Sequence, residues 1–235
     1  MKLQEVLKEL EQLGSPSIKS VLIKHGATEP FFGVKVEDLK KVQKKIRNDH
    51  SLSLKLYNTG NSDAMYLAGL VADGKRMSVE ELDGWAERAP WQMISEYTVP
   101  WVASENENGW ELAMKWIDSE KETVASSGWS TLAAIVSMKD DSQLNIESIR
   151  KLMHRIETTI HSEQNRVRYT MNGFLMSVGI YIESLSNEAI AFSERIGKVE
   201  VNLGKTACKV PFAPEYIKKA IEKGQLGKKR KTVRC

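Results

Sequence analysis

Residues 109–138 read GWELAMKWIDSEKETVASSGWSTLAAIVSM. Trp110, Ala113, Met114 and Ile117 fall at i, i+3, i+4 and i+7, which gathers one apolar face on a helix. The segment SEKE (119–122) has the S-x-x-E form of a capping box and predicts a second helix start. Beyond it, Val124, Trp129, Leu132, Ile135 and Val136 share one apolar side. Ser126, Ser127, Ser130 and Thr131 share the other, a hydroxyl face that suits close approach of a backbone or a phosphate. Two short helices, each apolar on one side, must pack on each other and on neighbours.

The same grammar extends in both directions. Ile149, Leu152, Met153 and Ile156 repeat the i, i+3, i+4, i+7 spacing. SVEE (78–81) is a second capping box, and Ser15-Pro16 reads as an N-cap followed by proline at the first helical position. No Asn-Gly or Asp-Gly hairpin separates alternating runs, so strands are not expected. About a dozen helices of roughly 10–20 residues fit the length. Trp91 and Trp129, each read as early in a helix, and the helix beginning at Asn165 echo one another at a period of roughly 40 residues. Such a period of paired helices predicts an all-α, HEAT-like (ARM-type) solenoid with a concave groove. The expected organisation is one solenoid domain over 1–235, ending in a basic tail at 224–235.

Bulk properties narrow the class. The 235 residues are 28% charged and 41% hydrophobic, ordinary for a globular chain with a sizeable core. No run approaches the ~18 apolar residues of a membrane span, and MKLQEVLKEL is an amphipathic helix rather than a signal sequence. Cys208 and Cys235 are too few for a disulfide framework, so a reducing, cytoplasmic setting is expected; a monomer without membrane contact is the further expectation. The four histidines have no HExxH spacing, and neither a metal nor another cofactor is expected. Charge is unevenly placed: residues 195–235 carry twelve Lys and Arg against three Asp and Glu, leaving the first 194 residues at −6 of the net +3. The cluster GKKRK (227–231) and the ridge Lys40, Lys41, Lys44 and Lys45 are each, taken alone, ordinary solvated surface. Together with the C-terminal +9 they suit contact with several phosphates, with Lys228, Lys229 and Arg230 as candidate binding residues.

Two helices carry candidate binding residues. At about 100° per residue, Met93, Ile94, Tyr97 and Trp101 form a core arc, with Gln92 and Glu96 on a polar side and Trp91 outside the arc. Trp91 faces a groove or packs across a loop. On the helix from Asn165, Val167, Met171, Phe174, Val178, Tyr181 and Ile182 form the core side. Asn165, Arg168, Tyr169 and Asn172 lie opposite, with Arg166 at the margin: a donor-rich face of the kind that meets phosphates and base edges.

FFGVKVEDLKKVQKKI (31–46), MYLAGL (65–70), the stretch from Ala89 through Ile117, NRVRYTMNGFLMSVGIY (165–181) and the GKVEVNLGKTACKVPFAPEYIKK and GKKRKTVRC endings together resemble the AlkC/AlkD-type DNA alkylation repair proteins. That resemblance covers most of the chain from about residue 20. It implies a HEAT-like solenoid holding DNA on its concave face and excision of N3- and N7-alkylated purines by hydrolysis of the N-glycosidic bond. Active relatives carry Trp-Trp-Asp-x-x-Asp, in which the second Trp stacks on the lesion and the final Asp stabilises the cationic sugar. Matched here from Trp91, the stacking Trp becomes Gln92 and the carboxylate becomes Glu96. The family's basic residue on the next concave helix falls near Ser126 or Ser127 and is absent.

The resemblance therefore implies a DNA partner, a duplex with damage or distortion. It leaves three functions open. One is a weak glycosylase with Glu96 as its electrostatic carboxylate and Trp91 and Tyr169 as shape contacts. Another is an inactive module that binds damaged or branched DNA. The third is a scaffold for a protein partner.

Overall fold

Ser78 accepts a hydrogen bond from the Glu81 amide while Glu81 accepts one from the Ser78 amide, closing the capping box read from SVEE. Ser15 and Pro16 likewise sit at an N-cap and N1, although the Ser15 hydroxyl makes no cap bond. SEKE behaves differently. Ser119 accepts from the Lys121 amide in a turn, and the helix starts only at Glu122.

The computed structural model describes residues 1–234; Cys235 lies outside them. Among these residues there are thirteen α-helices and no strand. They are α1 Leu3–Leu13, α2 Pro16–Lys24, α3 Val36–Ile46, α4 His50–Tyr57, α5 Ser62–Val71, α6 Val79–Arg88 and α7 Val99–Ala103. Next come α8 Gly109–Trp116, α9 Glu122–Met138, α10 Ile146–Thr159, α11 Asn165–Tyr181, α12 Ser186–Ile196 and α13 Ala213–Glu222. A π-helical turn, Ile94–Thr98, runs directly into α7. Among the described residues no helix is long and apolar enough to cross a membrane.

The inner layer stacks α5, the π turn with α7, α9, α11 and α13 in series, with α4, α6, α8, α10 and α12 behind. Helix α5 is buried along its whole length because it is packed from both sides. The outer helices α6, α8, α10 and α12 begin at Val79, Gly109, Ile146 and Ser186, a repeat of uneven length. Ion pairs between successive outer helices follow it: Lys115–Asp83 at 2.7 Å, Arg155–Asp118 at 2.6 Å, Arg150–Glu188 at 2.9 Å, and Arg195–Glu157. These are exposed pairs that add little stability each, but they mark the period. Trp129 falls in mid-helix of α9, not early, so its echo with Trp91 is one of layer rather than of position.

Close packing in the inner layer rests on small residues. Ser126 and Ser127 are fully buried, with the Ser126 hydroxyl 3.4 Å from that of Ser95 on the π turn. At Ser126 and Ser127 the expected hydroxyl face is therefore a helix–helix contact, because small side chains let two helix backbones approach. A Cβ on Gly128 would stand 2.8 Å from the backbone of Ile117.

The FFGV run is pinned by Asp63. Its carboxylate accepts the amides of Phe32 at 2.6 Å, Gly33 at 3.0 Å and Val34 at 3.1 Å. Gly33 has φ +81°, and a Cβ there would meet the Ser15 carbonyl at 2.8 Å, so glycine is required. The Lys ridge of α3 stays on the outside, with Lys41 on Asp38 and Lys45 on Glu9.

Candidate functional site

Pro100 lies within the helix 92–103 and has no amide to donate to the carbonyl of Glu96, four residues back. The turn before it is π-helical, with the Val99 amide reaching the Ile94 carbonyl. Such single turns recur at functional sites. The extra residue breaks the 100° spacing on which the sequence reading of this helix rests. Ile94 and Trp101 remain buried, and Trp101 packs edge-on to Tyr66 at 5.0 Å. Tyr97, expected in the same core arc, is instead 47% exposed. A proline inside a helical pattern was the signal for this rotation.

Tyr97 opens into a cavity of about 870 Å³ on the concave face. Gln92, Glu96, Arg166, Tyr169, Tyr216 and Arg230 are among its lining residues. Trp91 belongs to both readings. It is buried, its Nε1 donates to the Ser62 hydroxyl at 3.2 Å, and it also borders the cavity.

The centre of the site is an ion pair. Arg166 Nε donates to Glu96 Oε1 at 2.6 Å and Nη2 to Oε2 at 2.5 Å. The side chains are 3% and 13% accessible for Glu96 and Arg166, so the pair is desolvated. Burial pushes the Glu96 carboxyl above its ordinary range, and the hydrogen bonds and charge of Arg166 pull against that. Burial also works against the Arg166 charge, but the contacts with Glu96 outweigh it and hold the proton more firmly. The guanidinium stacks on the Tyr169 ring, 4.3 Å from its centroid. Glu122 accepts the Arg166 amide at 2.8 Å, fixing the start of α11 against the start of α9. Burial in the groove, helped by Tyr169 and Glu96, pushes the Tyr97 phenol up to about 12.

The donor-rich face of α11 divides differently from the sequence reading. Arg166, read as marginal, and Tyr169 face the cavity, while Asn165, Arg168 and Asn172 are not among its lining residues. Asn165 exchanges hydrogen bonds with the backbone of Asn202, and Asn172 donates to the Pro211 carbonyl at 2.9 Å. Both amides tie down the irregular segment 197–212 rather than facing a ligand. Arg168 is half-buried, with its Nε lacking a hydrogen-bond partner. Asn165 and Asn172 thus lie apart from the cavity that Gln92 and Glu96 line, since the C-terminal segment folds back over that flank of α11.

In the basic tail, Lys229 is drawn inward onto Asp141 at 2.8 Å, Arg230 reaches the cavity, and Lys228 is exposed. Tyr216 and Cys208 reach the same cavity from the C-terminal region. Neither was marked as a site residue by helical periodicity, since tertiary folding brings them there.

The arrangement is a groove with exposed aromatic rings, a neutralised acid–base pair at its floor and the Arg230 cation at its border. Comparison with known proteins is consistent with that geometry. Two Listeria proteins, Lin0241 of Listeria innocua and Lmo0209 of Listeria monocytogenes, are 34% and 33% identical over 218 residues, covering 90% of this chain and 94% of each relative. A solved structure superposes with a TM-score of 0.91 at 37% identity, covering all of both chains. That structure is described as a new family of proteins related to the HEAT-like repeat DNA glycosylases with affinity for branched DNA structures. The family described as DNA alkylation repair enzyme matches residues 6–217, nearly the whole described fold, and the chain belongs to that family.

Proposed function

We propose that this chain is a DNA-binding module of the alkylation repair family that receives branched or distorted DNA in its concave groove, and that it is not a working glycosylase. The observation that carries this is the forked contact of Arg166 on Glu96. A glycosylase of this kind needs a negative charge aimed at the oxocarbenium-like sugar as it forms. Glu96 has both oxygens engaged by a guanidinium, so its field at the groove is that of a dipole. Gln92 stands where active relatives place a stacking ring and offers no π-face.

The groove keeps what binding requires. Tyr97 and Tyr216 are about half-exposed, and both line the same cavity as Arg230. Aromatic faces accept any unstacked base, and cations accept phosphate whatever the sequence. Branch points supply both features together. The solved relative described as having affinity for branched DNA, at 37% identity over the full length, supports the same ligand class.

The test sets binding beside chemistry. Electrophoretic mobility shifts with a four-way junction, a flap and a plain duplex should rank the branched DNAs above the duplex. Base release from an N-methylpurine duplex should stay at background. Substantial release that disappears in Glu96→Gln would restore the glycosylase reading, and failure to bind any of the DNAs would sink the binding reading.

A further inference from the structure

Residues 227–234 run across the C-terminal ends of the inner helices, along one edge of the groove. The Gly227 amide donates to the Ile180 carbonyl at the end of α11, at 2.9 Å. The Arg230 amide donates to Ser137 at the end of α9, at 2.8 Å, and Lys229 Nζ to Val136 at 3.0 Å. Arg234 forks onto Glu105 just beyond α7, and its Nη1 donates to the Leu70 carbonyl of α5 at 3.3 Å. Val233 packs against the N-terminal part of the core. Residues 227–234 thus form a strap that spans from α11 back to α5.

An α-helix leaves its last carbonyls without partners inside the helix, and its C-terminal end carries partial negative charge. Several such ends side by side make an edge that repels phosphate. The strap satisfies some of those carbonyls and lays cations across them. Lys229 and Arg234 are committed to anchoring, with side chains only 16% and 18% accessible. Lys228, Arg230 and Lys231 remain exposed and, among the described residues, in no ion pair, and Arg230 reaches the cavity.

We propose that the strap makes this edge a phosphate-binding rail. On it Lys228, Arg230 and Lys231 hold the sugar-phosphate backbone of one arm of a branched DNA whose branch point lies in the groove. This rests on the DNA-binding reading above and adds to it a surface, a ligand group and a division of labour within one basic cluster. The rail is held at fixed positions by the anchors, so its cations add to affinity without the ordering cost a free tail would carry.

The experiment uses the full chain and a labelled four-way junction, with anisotropy titrations between about 50 and 200 mM salt. The triple variant Lys228→Gln/Arg230→Gln/Lys231→Gln is expected to bind more weakly. Its log–log salt slope should be shallower by about 2–3, near 0.9 per lost phosphate contact, with an unchanged melting temperature. The anchor variant Lys229→Met/Arg234→Met is expected to melt at lower temperature. A wild-type protein that binds the junction beside a triple variant of equal salt slope would overturn the rail and leave the DNA-binding reading standing. A triple variant that melts as early as the anchor variant would also overturn it, because the three cations would then be structural. A wild-type protein that binds no DNA would overturn the reading on which the rail is built.

Discussion

Glu96 and Arg166, seventy residues apart in sequence, meet in a two-pronged ion pair at the floor of the groove, with Tyr169 stacked on the guanidinium. The pair joins the π turn to α11 across the intervening α9. It decides both the electrostatics of the site and part of its stability.

Removing one member of a buried pair strands the other charge, at a cost of about 3–5 kcal/mol. Glu96→Gln should fall near the lower end, since its amide oxygen still accepts one hydrogen bond. Arg166→Met should also destabilise. The double variant should lose clearly less than the sum of the two. Urea unfolding of the three variants and the wild type checks this, and additive losses would refute coupling across the pair.

Tyr97→Ala should weaken junction binding by roughly 1–3 kcal/mol, about 5- to 150-fold, if its ring receives an unstacked base. Because Tyr97 is 47% exposed, the melting temperature should barely change. Anisotropy with the junction and thermal melts provide the two readouts. Unchanged affinity would remove the ring from the binding surface.

Gly33→Ala should destabilise by about 1–3 kcal/mol, the scale of a non-glycine residue forced into a disfavoured backbone region. Its φ is +81°, and the new methyl would press on the carbonyl of Ser15. Denaturant midpoints measure the loss, and a neutral result would mean that the 31–34 loop relaxes freely despite Asp63.

Arg195 hydrogen-bonds Glu157 and, against a smaller opposing effect of burial, holds its carboxyl below the ordinary 4.5, with charge and His154 adding. A depressed carboxyl contributes stability above 4.5 and loses it as pH falls through the lower folded value. The wild type should therefore exceed Arg195→Gln in melting temperature near neutrality, with the gap closing in acid. The gap will be small because the pair is exposed. A gap that widened on acidification would contradict the sign.

By itself the sequence determined the helices, their buried faces and the uneven charge along the chain. These depend on spacings of three or four residues, on caps such as Ser78 with Glu81, and on composition, all local properties. The family resemblance pointed to Gln92 and Glu96 for the same reason: a short motif is contiguous in the chain. Pro100 also carried local information, and the π turn before it turned Tyr97 from expected core to groove wall. Only the tertiary structure decided which polar groups were already satisfied. Helical periodicity gives the direction of a side chain but not what another repeat places before it. Arg166 found Glu96, Asn165 and Asn172 found the backbone of a returning segment, and Lys229 and Arg234 found helix ends and acids. Those pairings arise from the superhelical stacking of distant repeats, where burial penalises every unpaired polar group and so selects which donors are left for a ligand.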